Sequence, residues 1–524
     1  MTPRVVAIGG GKGGVGKSLV AANVGIFLAT LGKRVILVDA AFGAPNLHIF
    51  AGVPRPGRTL AEAVAAGGPP LAELAVATHV PGVKLVGGVY DPEWIANPGP
   101  AQVRVIAEQL HQLPADWVVV DLGPGLGSGT LELFLEADIS LLVAVPDPTS
   151  IELMHRFVKA AFLKRLERRG LAHLAQIDGK SSSDFEGGLP SALDIYLAAV
   201  ASQKPEVSEL RDAILGFSPH LVINSARSKS DMELGRAVAS AARRRLGTPL
   251  RYLGHLEYDE AVWASTRRRR PLLIEHPETR IAKCFERVAR GLMAVRPVVS
   301  IDGDVLPSDS HYELLEVPPT ASFEDIRRAN RRIRDVYGTE SIAVSGLYDP
   351  ASLEAVHRRL DLAYTTLMDA AKRKDYDLEL FPDGVPMPVA HPTTSPSDVA
   401  PPARPAAKHD DPAQLATRPP MPEITARTEF SGPLLRQIRE AVGVELREIA
   451  EKSKIGMAYL QALEGETFAK LPAPVYVRGF LAEYARALGL DAERVKQTYL
   501  ERFRAARGHA GEHDDGDQAS RPKP

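Results

Sequence analysis

Between the apolar run Val5-Val6-Ala7-Ile8 and the helix-forming Leu19-Val20-Ala21-Ala22 stands Gly10-Gly11-Lys12-Gly13-Gly14-Val15-Gly16-Lys17-Ser18, and no other stretch restricts the fold so tightly. A strand that runs into a glycine-rich loop and leaves it as a helix builds a cradle for phosphate. The backbone N–H groups of Gly11, Gly13, Gly14, Val15 and Gly16 can converge on the anion, and the helix adds the partial positive charge of its first turn. In this pattern Lys17 reaches the β- and γ-phosphates and Ser18 offers its hydroxyl to Mg²⁺. The residues therefore imply a bound nucleoside triphosphate and its magnesium ion.

The following segments supply a sheet for that loop. Apolar strand candidates at Arg4–Ile8, Val35–Val38, Val83–Val86, Trp117–Val120, Ser140–Val145, His220–Ile223 and Tyr252–Leu256 alternate with helical stretches. Such alternation predicts an α/β fold, a mainly parallel sheet with helices on both faces, whose ligands sit at the carboxyl ends of the strands. Asp39 ends the second candidate and Asp121 follows Val120, positions from which a carboxylate holds Mg²⁺ through water. Either aspartate alone could instead cap the loop that follows it. Beside a phosphate loop the metal role is the stronger reading.

A chain of 524 residues exceeds one ordinary core, so about two to four domains are expected. Its 63 Lys and Arg against 65 Asp and Glu argue against a wholesale nucleic-acid coat. Local runs such as Arg243–Arg245 and Arg267–Arg270 read as solvated helix faces. The single cysteine, Cys284, cannot form an intrachain disulfide, and the N-terminus enters a strand at once. Apolar runs such as Ile139–Val145 are too short to span a bilayer. A cytoplasmic location is the expectation.

Lys12 narrows the reading, because Lys-Gly-Gly-x-Gly-Lys-Ser resembles the deviant P-loop of the MinD/ParA ATPases. The resemblance implies an ATP-dependent homodimer in which Lys12 reaches the partner's nucleotide, with Lys12, Lys17 and Asp39 serving hydrolysis. Within that family the chain resembles the FlhG-like branch, which regulates flagellar number and placement. Pro146-Asp147-Pro148-Thr149-Ser150 resembles its Pro-Glu-Pro-Thr-Ser turn, and Asn224 matches an asparagine that reads the adenine edge. Glu257 stands where proline is usual. A larger departure is Ala41, where relatives carry the second aspartate of Asp-x-Asp that positions the attacking water. The resemblance then implies retained ATP binding and slow hydrolysis. Between Arg168 and Pro219 the chain is longer than the family core, with Gly179–Ser183 read as loop and Leu193–Ala201 as helix, a candidate partner surface.

The remaining chain reads as small all-α domains. His311-Tyr312-Glu313-Leu314-Leu315-Glu316-Val317 resembles the opening of a J-domain, and Arg373-Lys374-Asp375-Tyr376-Asp377 its closing helix, but Tyr337-Gly338-Thr339-Glu340-Ser341 replaces His-Pro-Asp. Such a module should not stimulate a chaperone ATPase and reads as a docking or spacer element. Residues 382–427 form a proline-rich linker unable to bury a core. From residue 428 to 507 short amphipathic segments resemble a helix-turn-helix, and Leu471–Ala485 with Leu488-Gly489-Leu490-Asp491 resembles the cytoplasmic domain of RodZ, which contacts an actin-like filament protein. Residues 508–524 read as a disordered tail.

These boundaries define an ATPase domain at 1–297, a J-domain-like module at 309–381, the linker, the helix-turn-helix domain and the tail. The leading expectation is an ATP-controlled spatial regulator whose C-terminal modules recruit a protein partner, on a face around Tyr459 and Tyr476. The presumed recognition helix, around Ile455 to Glu464, offers Lys454, Tyr459 and Gln461 but also Glu464 and Glu466, and a nearly charge-balanced domain is poorly equipped to neutralise phosphates, which weighs against DNA. A DNA-binding transcriptional regulator is the alternative, and a scaffold using ATP only for folding is a third class. Peripheral membrane contact through Ile281–Met293 is less favoured than a packed closing helix, since Phe285 is its only aromatic residue and Glu286 interrupts it.

Overall fold

The computed structural model describes residues 2–65, 67–89, 98–296, 310–382, 422, 428–453, 455, 457–468, 471, 474–488 and 490–508. The chain divides into two compact units, Met1–Ala400 and Pro401–Pro524.

The first unit is built on an eight-stranded sheet ordered β3-β4-β2-β5-β1-β6-β7-β8. Its strands are β1 Arg4–Gly9, β2 Val35–Ala40, β3 Val76–Ala77, β4 Val83–Val86, β5 Trp117–Leu122, β6 Ile139–Ala144, β7 His220–Ala226 and β8 Arg251–Glu257. All neighbours are parallel except β3, which runs antiparallel to β4 at the edge. Two residues are too few to show a strand period, so β3 left no mark in the sequence pattern. Helices of eight or more residues in this layer are α1 Lys17–Thr30, α2 Pro100–Leu110, α3 Ser128–Glu136, α4 Pro148–Arg168, α5 Ala192–Ala201, α6 Val207–Leu215, α7 Lys229–Leu246, α8 Glu260–Arg268 and α9 Arg280–Ala294.

The central strands are buried on both sides, which is why they read as continuous β-branched runs. Alternate residues serve opposite faces. Val5, Ala7, Val118 and Val120 pack beneath α2, α3, α4 and α7, whereas Val6, Ile8, Val119 and Leu141 pack beneath α1 and α9. Helix α9 buries Ile281, Cys284, Phe285, Val288 and Leu292, as expected of a packed closing helix. The insertion after Arg168 also folds inward: Ile195 of α5 and Leu210, Ala213 and Ile214 of α6 join the core of the sheet.

Residues 310–382 add a short helix at His311–Leu314 and then α10 Phe323–Val336, α11 Pro350–Met368 and α12 Ala370–Leu380. The closing motif staples this module to its own beginning. Tyr376 accepts from the His311 N–H at 2.8 Å, Tyr312 donates to Asp377 at 2.5 Å, and Arg373 donates to the Tyr312 hydroxyl at 2.9 Å. Tyr337, in the loop that lacks His-Pro-Asp, is buried edge-on against Tyr348. The module is no free spacer. Its Leu315, Ile326, Ile333 and Leu360 belong to the same hydrophobic core as the sheet, and Arg245 of α7 donates to the Leu347 carbonyl at 3.2 Å while His155 of α4 meets the Ser345 carbonyl at 3.0 Å.

The second unit holds α13 Gly432–Val442, α14 Leu446–Ser453, α15 Met457–Glu464, α16 Pro474–Ala487 and α17 Ala492–Gly508. Leu435, Ile438, Ile449, Leu460, Leu463, Val477, Leu481, Tyr499 and Phe503 form its core. Inside it Arg439 binds Glu464 at 2.6 Å, and Tyr484 donates to the same carboxylate. Most of the linker at 382–427 and nearly all of the tail lie outside the described residues, as do Lys454 and the side chain of Tyr476. Among the described residues no helix is long and apolar enough to cross a membrane.

Candidate nucleotide site

Strand β1 lies between β5 and β6, so consecutive strands depart to opposite sides of it and a crevice opens at their carboxyl ends. The loop Gly10–Gly16 leaves β1 into this crevice and ends in α1. Gly16 has φ of +95°, and a Cβ there would lie 2.3 Å from the Asn224 amide nitrogen. A Cβ on Gly11 would lie 2.2 Å from the Leu153 carbonyl oxygen of α4. Both positions therefore admit only glycine, and the backbone N–H groups stay accessible where phosphate would sit.

Lys17 is nearly buried, and its ammonium donates to the Lys12 carbonyl at 3.1 Å. Burial lowers its pKa, with Asp121 opposing the shift. Lys12 is held within its own chain by Asp147, at 2.9 and 3.1 Å. Asp147 is also the N-cap of α4 and accepts from the Ser150 N–H at 2.9 Å. Burial pushes its carboxyl up, but Lys12 and Ser150 outweigh that and hold it below its ordinary value. The sequence pattern separated these two residues by 135 positions and gave no sign of the pair. The available signal was an aspartate directly before a proline, the mark of a helix cap aimed at the loop.

Asp39 of β2 stands in register with Asp121 of β5, and Ile8 of β1 pairs with Asp121 on the other side. Both carboxylates are buried beside the loop. Asp39 accepts from the N–H groups of Leu47 at 2.9 Å and Ala41 at 3.2 Å, while burial still pushes it up to about 7. Neither oxygen of Asp121 has a hydrogen-bond partner of good geometry. Burial and the Asp39 charge raise its pKa, opposed by the Ser18 hydroxyl and Lys17. Two adjoining buried carboxylates, one of them unsatisfied, are costly without a cation. With the Ser18 hydroxyl they form an all-oxygen donor set that fits Mg²⁺.

Asn224, within β7, donates its amide to the Val15 carbonyl at 2.8 Å and is buried there, bracing the loop. Ala41 lies in the turn after β2, where a Cβ on Gly123 would come 3.5 Å from its Cα, so its backbone runs close to the loop after β5. Its side chain carries no hydrogen-bond acceptor. Glu257 ends β8 and faces Arg280 at 3.9 Å.

The CobQ/CobB/MinD/ParA nucleotide binding domain matches residues 6–347. The chain belongs to this family. Its match extends through the sheet and into the module at 310–382, and a Helix-turn-helix domain matches residues 434–495. Antiactivator FleN of Pseudomonas aeruginosa is 25% identical over 290 residues, covering 55% of this chain and 85% of FleN. The flagellum site-determining protein YlxH of Helicobacter pylori is 31% identical over 150 residues, 28% of this chain and 50% of YlxH. Among solved structures, the septum site-determining protein MinD complexed with Mg-ADP from Pyrococcus horikoshii aligns over 56% of this chain and 96% of its own, at 21% identity and a TM-score of 0.39.

In the second unit the two acids counted against DNA have other occupations. Glu464 is buried against Arg439 and Tyr484, and Glu466 pairs with Arg502 at 3.0 Å and accepts from the Gly432 N–H at 2.9 Å. They neutralise arginines of their own unit, which occupies those acids and those arginines alike and leaves the near balance of charge as it was. Tyr459 is half exposed and lies 5.5 Å from Phe480, ring centre to ring centre.

Proposed function

We propose that the chain is an ATP-binding molecular switch of the MinD/ParA type that acts in spatial regulation, at a pole, a flagellum or a site of cell shaping. The observation that carries this reading is Lys12 held by Asp147 beside an unsatisfied Asp121. A cation and a triphosphate supply what the buried carboxylates and loop N–H groups lack. Gly11, Lys12, Gly13, Gly14, Val15, Gly16, Lys17 and Ser18 hold the phosphates, and Ser18, Asp39 and Asp121 hold Mg²⁺. In a homodimer Lys12 leaves Asp147 for the partner's nucleotide. Asn224 contributes by fixing the loop and the adenine side. Hydrolysis is slow because the Ala41 methyl cannot orient water. The likeness to YlxH, a flagellum site-determining protein, supports a flagellar setting.

In this reading the functional parts are an ATPase domain at 1–297, a J-domain-like module without His-Pro-Asp at 309–381, and a RodZ-like helix-turn-helix domain at 428–507 that recruits a protein, an actin-like filament protein being the model. The test measures light scattering with a non-hydrolysable ATP analogue. The parent protein forms a dimer, whereas Lys12→Ala binds nucleotide and stays monomeric. Equal dimer formation by both removes the assigned role of Lys12.

A second reading, an ATP-controlled DNA-binding regulator, is supported by the Helix-turn-helix domain that matches residues 434–495. Filter binding of full-length protein to duplex across a salt series separates the two, because phosphate contacts impose a salt-dependent affinity.

A further inference from the structure

A second cluster of metal-binding side chains lies apart from the phosphate loop, on the last strand of the sheet. His255 and Glu257 are two residues apart in β8 and so project from the same face. Helix α9 packs across that face and brings in Cys284. Ligand atoms of the three side chains all lie within 4.8 Å of one another. We infer that His255, Glu257 and Cys284 form a binding site for a zinc-like transition-metal ion.

The donor set decides the class of ion. Thiolate, imidazole and carboxylate are the ligands zinc takes, whereas Mg²⁺ and Ca²⁺ require oxygen. Zinc bonds of about 2.0–2.3 Å draw ligands to within roughly 4 Å of each other, so side-chain rotations of about an ångström close the site. Three protein ligands leave a fourth position for water or another ligand.

The surroundings support ligation and also restrain it. The Tyr252 hydroxyl lies 3.3 Å from His255 Nδ1 and itself donates to the Met232 carbonyl at 2.9 Å, fixing the ring. A thiol ligates as thiolate, so an incoming ion must displace the Cys284 proton. Arg287 donates to Cys284 Sγ at 3.5 Å and competes with a cation for the sulfur. Arg280 competes more weakly for Glu257, since it is largely exposed.

Because Cys284 is the only cysteine of the chain, one spectroscopic signal reports on the site. Full-length reduced protein is titrated with Co²⁺ in excess Mg²⁺, which keeps oxygen-only sites occupied. The expected result is one equivalent of Co²⁺ with sulfur-to-cobalt charge-transfer absorption, displaced by Zn²⁺. Cys284→Ser abolishes the band. Glu257→Gln, at the strand end, weakens binding by about tenfold or more, and Arg287→Gln tightens it. Absence of the band in the folded parent protein overturns the proposal, as does equal Co²⁺ affinity in Cys284→Ser and Glu257→Gln.

Discussion

Two regions of this molecule bury charge, and they do so to opposite ends. In the second unit Arg439 and Glu464 are buried together, joined at 2.6 Å and capped by the Tyr484 hydroxyl, so every charge is answered within the protein. At the phosphate loop Asp121 is buried with both oxygens unanswered, next to a second carboxylate. The first arrangement spends its electrostatics on holding helices together. The second keeps a deficit that bound protons relieve in part and an incoming cation answers. Buried charge by itself therefore distinguishes nothing; whether its partners are already present separates scaffold from site.

The contrast fails if either region behaves like the other. Lys17→Ala should abolish ATP binding in equilibrium dialysis without lowering the unfolding midpoint of the ligand-free chain, and unchanged ATP affinity would remove the nucleotide site altogether. Glu464→Ala leaves Arg439 buried without its partner and should destabilise the second unit by about 3–5 kcal/mol in denaturant unfolding, with ATP binding unaffected.

Acid should act in the reverse sense on Asp39. Its folded carboxyl is raised from 3.8 to about 7, so the ligand-free fold retains a proton that the unfolded chain releases. This contribution is complete below the ordinary carboxylate pKa and is lost as pH climbs through about 7. Relative to Asp39→Asn, the parent protein should lose stability, on the order of a few kcal/mol, between about pH 5 and about pH 8. A difference that stays constant over that range contradicts the raised carboxyl.

The smallest effect expected is kinetic. Ala41→Asp restores an acceptor for water and should raise single-turnover ATP cleavage by about tenfold, with little change in ATP affinity. An unchanged rate would show that the alanine does not set the speed.

What could be read from the sequence was local. The loop glycines, Lys17, Ser18 and the β-branched strands announce themselves because their constraints act within a few residues, and Asp39 and Asp121 follow from strand ends. What escaped depends on distant parts of the chain. Lys12 and Asp147 meet only because β1 and β6 are neighbours. Glu464 looked like a surface acid because its spacing says nothing of an arginine 25 residues earlier. The module at 310–382 read as separate because its docking residues, Arg245 and His155, lie on helices of the sheet layer, and no period in either segment reveals a shared core.

Helix α4 gives that shared core a further meaning. Its cap, Asp147, grips Lys12 in the loop, and His155 touches Ser345 of the attached module eight residues later, about 12 Å along a rigid helix. The helix thus ties the phosphate loop to the attached module. Any reseating of the module that follows ATP binding must return, by the same free energy, as a change in ATP affinity when a partner grips the module. Cargo and nucleotide would then be weighed on a single beam.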